Sequence, residues 1–295
     1  MNMDKGFRSG FVSMIGRPNV GKSTFLNRLL GTKVSITTDK PQTTRDRISG
    51  ILNTDNAQII FLDTPGIHTP NKALNRYMVS KAVSTLKDAD VIMFMVDHRD
   101  TLDSVLDITP IFTRVRKPVI LVFNKIDLVE PATVDSRLKE LGSCYAFAKC
   151  HAISSLNGDG VEDLVREIVK LLPGGPMYYP KDFITDMPVR FICKELIREK
   201  VFSLTHKEIP YSVAVVIEEF REGDPTYIRA TIHVERESQK GIIIGRGGEM
   251  LKKIGILSRI EIEKFLGCKV FLDLFVSVTK NWTKDPVEVK RMGYR

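Results

Sequence analysis

Eight consecutive residues, Gly16-Arg17-Pro18-Asn19-Val20-Gly21-Lys22-Ser23, combine two glycines, a lysine and a hydroxyl at the spacing of a phosphate-binding loop. Glycines let the backbone curl until several N–H groups converge on phosphate oxygens. A lysine at the sixth step after the first glycine reaches the β- and γ-phosphates, and the Ser23 hydroxyl is placed to ligate Mg²⁺. Thr24 continues into a helix-forming stretch, whose N-terminus favours negative charge. The pattern alone also arises by chance in glycine-rich turns.

Two further motifs remove that ambiguity. Asp63-Thr64-Pro65-Gly66 closes an apolar run, where the Asp63 carboxylate can hold magnesium through water and the Gly66 N–H can sense a γ-phosphate. Asn124-Lys125-Ile126-Asp127 closes another. Guanine presents two adjacent donors, N1–H and the exocyclic amine, and a carboxylate such as Asp127 accepts from both at once. Adenine lacks that donor pair, so the site is expected to take GTP or GDP rather than ATP. The Lys125 stem can lie against the base, and Ser154-Ser155-Leu156 can offer backbone N–H to the guanine carbonyl. Ile67 follows Gly66 where Ras-like enzymes place a glutamine; an isoleucine cannot orient water, so unaided hydrolysis is expected to be slow. Gly31–Gly50 is polar, contains Thr43 and Thr44, and suits a switch loop that orders around γ-phosphate and magnesium.

A second constellation lies downstream. Ile244-Gly245-Arg246-Gly247-Gly248 holds a Gly-x-x-Gly, followed by Lys252 and Lys253. Such a loop between two helices lets a nucleic-acid backbone approach closely and in KH modules clamps about four nucleotides. Arg246 can meet a phosphate, the lysines lie one helical turn on, and Ile242–Ile244 are expected to line the base groove. Alone, the tetrapeptide is equally a helix–helix turn.

The elements that must position these residues can be read from periodicity. Phe11–Ile15, Ile59–Leu62, Val91–Val96 and Val119–Phe123 are compact apolar runs suited to strands buried on both faces of a parallel sheet. Their alternation with helix-length segments predicts a doubly wound α/β domain, with ligands at the strand C-termini. Val161–Leu172 reads as its last helix. Pro173–Pro180 reads as a linker, because prolines interrupt any helix or central strand. Beyond it the expected order is α-β-β-α-α-β: a helix at Val189–Leu204, strands at Tyr211–Phe220 and Tyr227–Val234, helices at Gln239–Ile244 and Met250–Leu266, and a strand at Val270–Val278. That is the type II KH order, a smaller α+β domain. The predicted division is 1–172 for a GTPase domain, 173–188 for a linker, 189–285 for the KH domain and 286–295 for a basic tail.

The phosphate loop, together with Thr43-Thr44-Arg45-Asp46 and Asp63-Thr-Pro-Gly66, resembles the Era branch of the translation-factor-related GTPases, and a C-terminal KH domain is found in that branch. The resemblance covers about residues 6 to 285. It implies that Thr43 or Thr44 ligates magnesium in the GTP state, and that Asn19 helps hold K⁺ beside the phosphates. It names Lys22, Thr44, Asp63, Gly66 and Asn19 as the catalytic group. It further implies a bacterial ribosome-assembly enzyme that binds the 3′ end of small-subunit ribosomal RNA and the small ribosomal subunit, with peripheral association with the cytoplasmic face of the inner membrane.

Composition sets the outer bounds. The 295 residues carry 43% hydrophobic and 27% charged side chains, ordinary for a water-soluble two-domain chain. No run approaches the roughly 18 apolar residues of a membrane span, and Met1–Gly10 is polar with no signal-peptide core; a cytoplasmic monomer is expected. The net charge of +8 favours a polyanionic partner. Cys144, Cys150, Cys193 and Cys268 form no C-x-x-C pair, so free thiols are expected rather than zinc. Two other readings compete: an RNA chaperone with a merely structural nucleotide site, and a membrane-surface switch driven by the basic tail. Intact Lys22, Ser23, Asp63 and Asp127 argue against the first, and the tail's lack of an amphipathic pattern argues against the second.

Overall fold

A computed structural model describes residues 6–68, 70 and 72–294. Met1–Lys5, part of the stretch read as a polar N-terminus, and Arg295 of the basic tail lie outside the described residues. The chain divides into two units. One comprises Met1–Ser35, Thr44–His68 and Met78–Asp186, the other Ile36–Thr43, Thr69–Tyr77 and Met187–Arg295.

The first unit is built on β1 (Arg8–Gly16), α1 (Lys22–Leu30), β2 (Ile48–Asn53), β3 (Ala57–Asp63), α2 (Ala73–Asp88), β4 (Val91–Val96), α3 (Leu102–Leu106), β5 (Val119–Asn124), α4 (Pro131–Gly142), β6 (Lys149–Ile153) and α5 (Val161–Leu171). Its six strands run in the order β2-β3-β1-β4-β5-β6. The five strands from β3 to β6 are parallel. β4 and β5 are buried from end to end, which is why their sequences are unbroken apolar runs rather than alternating ones. Phe94, Phe112, Leu121 and Phe123 anchor the packing on one face.

β2 departs from the expected parallel sheet: it pairs antiparallel with β3, Ile48 opposite Asp63. Its residues include Ser49, Gly50 and Asn53, so no compact apolar run announced it. Antiparallel edge strands on otherwise parallel sheets are common. The polar stretch expected to be loop through Gly50 therefore ends at Arg47.

The proline-rich segment after α5 belongs to the first unit and is strapped to it. Ser9 donates its amide to Pro173 and its hydroxyl to Pro176. The buried Gln58 amide accepts from the backbone N–H groups of Tyr178 and Tyr179 and donates to the Tyr179 carbonyl at 2.8 Å. Ile51 N–H donates to Ile184 O at 2.8 Å, and the Tyr178 ring packs on Phe11. Prolines without N–H groups suit such a strap, because they leave fewer donors for the sheet to satisfy.

The second unit contains α6 (Val189–Leu204), α7 (Ile209–Ser212), β7 (Ala214–Arg221), β8 (Thr226–Val234), α8 (Glu237–Ile244), α9 (Glu249–Leu266), β9 (Val270–Val278) and α10 (Pro286–Arg291). The sheet order is β7-β8-β9, antiparallel then parallel. Inward residues of β8 (Ile228, Ala230, Ile232, Val234) meet Ile192, Leu196 and Ile197 of α6 and Ile254 and Ile262 of α9, following the alternation of a sheet with one covered face. The expected strand from Tyr211 starts instead at Ala214, because Pro210 opens the helical turn α7. The end of the chain folds back on this unit: Asp285 caps α10, Val289, Met292 and Tyr294 are buried, and Tyr294 stacks on Trp282 at 5.9 Å. Lys280, Lys284, Lys290 and Arg291 stay exposed.

Candidate nucleotide and RNA sites

The loop Gly16–Ser23 joins the C-terminal end of β1 to α1. Asn19 and Gly21 both take positive φ, +64° and +103°. A Cβ at Gly21 would stand 2.2 Å from the Asn124 amide nitrogen, so this turn admits only glycine. Val20 is buried and its carbonyl accepts from Asn124 Nδ2 at 2.7 Å. Lys22 is nearly buried and curls over its own loop, donating to Gly16 O at 3.2 Å and Arg17 O at 3.0 Å. Burial brings its pKa down to about 8, against the pull of Asp63 and Asp100. An ammonium held in a ring of backbone groups is the arrangement that gains most when phosphate arrives. Arg17 reaches Asp100 from a half-exposed position, and Thr24 lies in the first turn of α1.

Asp63 ends β3 fully buried. Its Oδ2 accepts from Ser23 Oγ at 2.6 Å and Ser35 Oγ at 2.7 Å; its Oδ1 is buried with no hydrogen-bond partner among the described residues. Burial raises its pKa, and Lys22, Ser23, Ser35 and Thr64 oppose that shift. Ser23 Oγ also lies 3.0 Å from Thr44 Oγ1. Two hydroxyls and an orphaned carboxylate oxygen in one place form the all-oxygen donor set that magnesium takes, so the residues fit the ion. Thr43 points elsewhere, its hydroxyl bonded to Thr38 and to Lys40 O. Thr44, not Thr43, is the threonine brought to Ser23.

Thr64 is buried against Met14 O. Gly66 lies against Pro18, where a Cβ would stand 2.5 Å from the proline nitrogen. The Ile67 amide donates to Gly16 O at 3.0 Å, while its side chain packs into the apolar cluster around Phe94. The position after Gly66 is thus tied to the phosphate loop by backbone alone.

Asn124 is buried and links two loops. Its Oδ1 accepts from Ser155 N at 2.9 Å while its Nδ2 holds Val20 O. Lys125 turns the chain at φ +65°; its ammonium donates to Asn19 O at 2.6 Å and pairs with Asp97 at 2.9 Å. Ile126 begins a single 3₁₀ turn carrying Asp127, whose Oδ1 accepts from Ser154 Oγ at 2.5 Å. Leu156 is exposed at the rim.

Three contributors escaped the sequence reading. Asp97, at the end of β4, gathers Arg99 and Lys125; burial alone would raise its pKa, but these hydrogen bonds hold it at about 2. Arg28 of α1 donates to the carbonyls of Ser155 and Leu156 and pins their loop. Ser35 shares Asp63 with Ser23. Only Asp97 left a usable signal, a carboxylate at the C-terminal end of a buried strand.

In the second unit, α8 ends at Gly245 and α9 begins at Glu249. Gly245, Gly247 and Gly248 all have positive φ, and Arg246 is exposed between them. A groove of about 420 Å³ runs from Gly248 along Leu251, Lys252, Gly255 and Arg259 of α9, with Phe271 and Leu274 of β9 opposite. The expected Ile242–Ile244 wall is not part of it: Ile243 is in the core and Ile242 is exposed on α8. The floor is α9 and β9, because strand pairing places β9 at the sheet edge beside the glycine loop. Lys253 is exposed but is not among the groove-lining residues.

A phosphate loop, a buried magnesium-type donor set, a guanine-type carboxylate and a separate Gly-x-x-Gly unit define a P-loop GTPase carrying a KH domain. Residues 11–125 match the family model described as 50S ribosome-binding GTPase, and residues 208–283 match the KH domain model. The chain is 52% identical over 294 residues to GTPase Era of Geotalea uraniireducens, covering 99% of each, and 47% identical over 292 residues to GTPase Era of Carboxydothermus hydrogenoformans, covering 98% of each. A crystal structure of Era in complex with MgGDPNP and nucleotides 1506–1542 of 16S ribosomal RNA superposes with a TM-score of 0.93 at 43% identity, covering 98% of this chain and 99% of that one. A variant of Aquifex aeolicus Era bound to GDP and AlF4⁻ gives 0.89 at 42%, with the same coverage. The chain belongs to the GTPase Era family, and it is a GTPase.

Proposed function

We propose that this chain is a GTP-driven switch that binds the 3′ end of small-subunit ribosomal RNA and acts in assembly of the small ribosomal subunit. Residues 1–172 serve as the GTPase domain and 189–285 as the RNA-binding domain. The observation that supports it best is the convergence of Ser23, Thr44 and the orphaned Asp63 oxygen beside Lys22, in a chain that also carries an exposed Arg246 loop above a groove. The Era structure with 16S ribosomal RNA, alike over 98% of this chain, supports the RNA partner.

Ser23 and Thr44 hold Mg²⁺ directly and Asp63 through water; the ion neutralises charge on the phosphates. Lys22 supplies fixed positive charge at the β- and γ-phosphates, and the loop N–H groups orient them. The Gly66 N–H faces the γ-phosphate. Asp127 accepts from guanine N1–H and the amine, with the Lys125 stem against the ring. Because Ile67 is turned into the core, Asn19 would help hold a potassium ion that would supply the charge an arginine finger supplies elsewhere; equal turnover in sodium and potassium would remove it. RNA bases lie in the groove between α9 and β9, with Gly245–Gly248 and Lys252 at the backbone and Lys253 extending the basic surface. In this reading the chain is a monomer of the cytoplasm, and Lys280, Lys284, Lys290 and Arg291 provide peripheral contact with anionic lipid of the inner membrane. Among the described residues no helix is long and apolar enough to cross a membrane.

The test is GTP hydrolysis with and without an RNA of the 3′-terminal sequence. Stimulation that Arg246→Glu weakens supports the reading; turnover indifferent to that RNA counts against it.

A further inference from the structure

The second unit contains more than the C-terminal sequence. It also takes in Ile36–Thr43, which directly precedes Thr44, and Thr69–Tyr77, which follows the Asp63–Gly66 motif. Both stretches are held there by specific bonds. The Leu74 amide donates to Thr283 O at 3.1 Å, and the Tyr77 ring meets that of Tyr294 at 5.8 Å.

The first stretch is held more closely. Arg198 of α6 is fully buried, paired with Glu195, and donates to the Thr43 carbonyl at 2.5 Å. Glu199, one residue on, accepts from the Thr37 amide at 3.0 Å. Lys40 donates to the carbonyls of Phe202 and Thr205 at the C-terminal end of α6. That helix has no basic residue of its own in its last turn, so Lys40 supplies the cation that unsatisfied carbonyls and the helix dipole favour. Four hydrogen bonds with one helix and its C-terminal end therefore hold the segment from Thr37 to Thr43. The next residue, Thr44, has its hydroxyl 3.0 Å from Ser23.

We propose that α6, acting through Lys40, Arg198 and Glu199, is a positioning element for GTP hydrolysis: it holds residues 37–43 so that Thr44 is presented to the Ser23–Asp63 site. This rests on the nucleotide-site reading above. Arg198 acts through the carbonyl of the one peptide bond between Thr43 and Thr44, and Glu199 through the Thr37 amide at the other end of the segment. A site of this kind is sensitive to small displacements, since about 1 Å of misplacement costs up to about a hundredfold in rate. A threonine that serves only the triphosphate state also makes the effect state-specific: GDP binding through Asn124, Asp127 and the phosphate loop does not depend on it.

The experiment uses the full chain with Lys40→Met, the conservative Lys40→Arg, and Glu199→Ala as an independent break on the same segment. Turnover, melting temperature, and affinities for GDP and for a non-hydrolysable GTP analogue are measured with Mg²⁺ present. The expected result for Lys40→Met and Glu199→Ala is a fall in kcat of about tenfold and a fall in analogue affinity relative to GDP, with GDP affinity and melting temperature unchanged. Lys40→Arg recovers both quantities. Folded Lys40→Met and Glu199→Ala proteins with wild-type kcat and a wild-type ratio of analogue to GDP affinity would overturn the inference. A wild-type chain that failed to hydrolyse GTP would defeat the nucleotide-site reading itself, a different outcome.

Discussion

Ser23 Oγ and Thr44 Oγ1 lie 3.0 Å apart, although 21 residues separate them in sequence. The neighbouring Thr43 hydroxyl turns away to Thr38 and Lys40. Two adjacent threonines of the same chemistry thus have different partners, and the proposed function gives them separable roles. Thr44→Ala is expected to slow GTP hydrolysis about a hundredfold and to raise the Mg²⁺ concentration needed for half-maximal turnover. Thr43→Ala, which loses a local hydroxyl bond, should cost less than about tenfold. Steady-state turnover across a magnesium titration distinguishes them.

In the proposed function Asp127 reads the base. Asp127→Asn exchanges an acceptor pair for one acceptor and one donor, so guanine loses a charge-assisted bond worth about 1.5–3 kcal/mol, a roughly tenfold to hundredfold fall in GDP affinity. Xanthine carries a carbonyl where guanine carries its amine, and the new donor suits it. Competition binding with GDP and XDP should show the preference reversed; an unchanged preference would mean that Asp127 does not read the base.

The Asp97 carboxylate gives a pH signature. Its folded pKa, about 2, lies below the ordinary 3.8. A depressed carboxylate contributes stability that is present above the unfolded pKa and lost as pH falls through the folded one. The window is therefore about pH 4 down to about pH 2, and the contribution is at most about 2 kcal/mol. Asp97→Asn should be less stable than wild type at neutral pH by up to that amount, with the gap closing across that window in acid denaturation. A gap that persists at pH 2 would place its origin elsewhere.

Arg246→Glu should weaken single-stranded RNA binding at least tenfold and reduce the slope of log affinity against log salt by about one. GDP affinity should not move, because Arg246 is exposed in the second unit and belongs to none of the nucleotide motifs. Filter binding at several salt concentrations measures both quantities.

Much of the architecture could be read from local sequence, and the exceptions have physical causes. β4 and β5 are covered on both faces, so burial wrote itself into their sequences as unbroken apolar runs. β2 is buried from Ile48 to Ile51, but Ser49 meets Asp186 of the strap and Gly50 lies under Leu26 and Leu30, so polar and small residues interrupt the run and left no such trace. The Gly16–Ser23 and Asn124–Asp127 motifs were legible because their spacing is the chemistry they are expected to perform. Arg28 and Ser35 were not, since each acts on a group far away in sequence: Arg28 on the Ser155 carbonyl and Ser35 on Asp63. The groove wall was misplaced for a related reason. Ile242–Ile244 is apolar and adjacent to the glycine loop, but helix geometry turns Ile243 into the core and strand pairing brings in Phe271 and Leu274.

The account holds that nucleotide state and RNA binding are one linked equilibrium. The most direct measurement is the affinity of the full chain for an RNA of the 3′-terminal small-subunit sequence, with Mg²⁺ and either a non-hydrolysable GTP analogue or GDP. The account predicts tighter binding with the analogue by about 5- to 150-fold, and the same factor in analogue affinity relative to GDP when RNA is present. Equal RNA affinity in the two nucleotide states would contradict it.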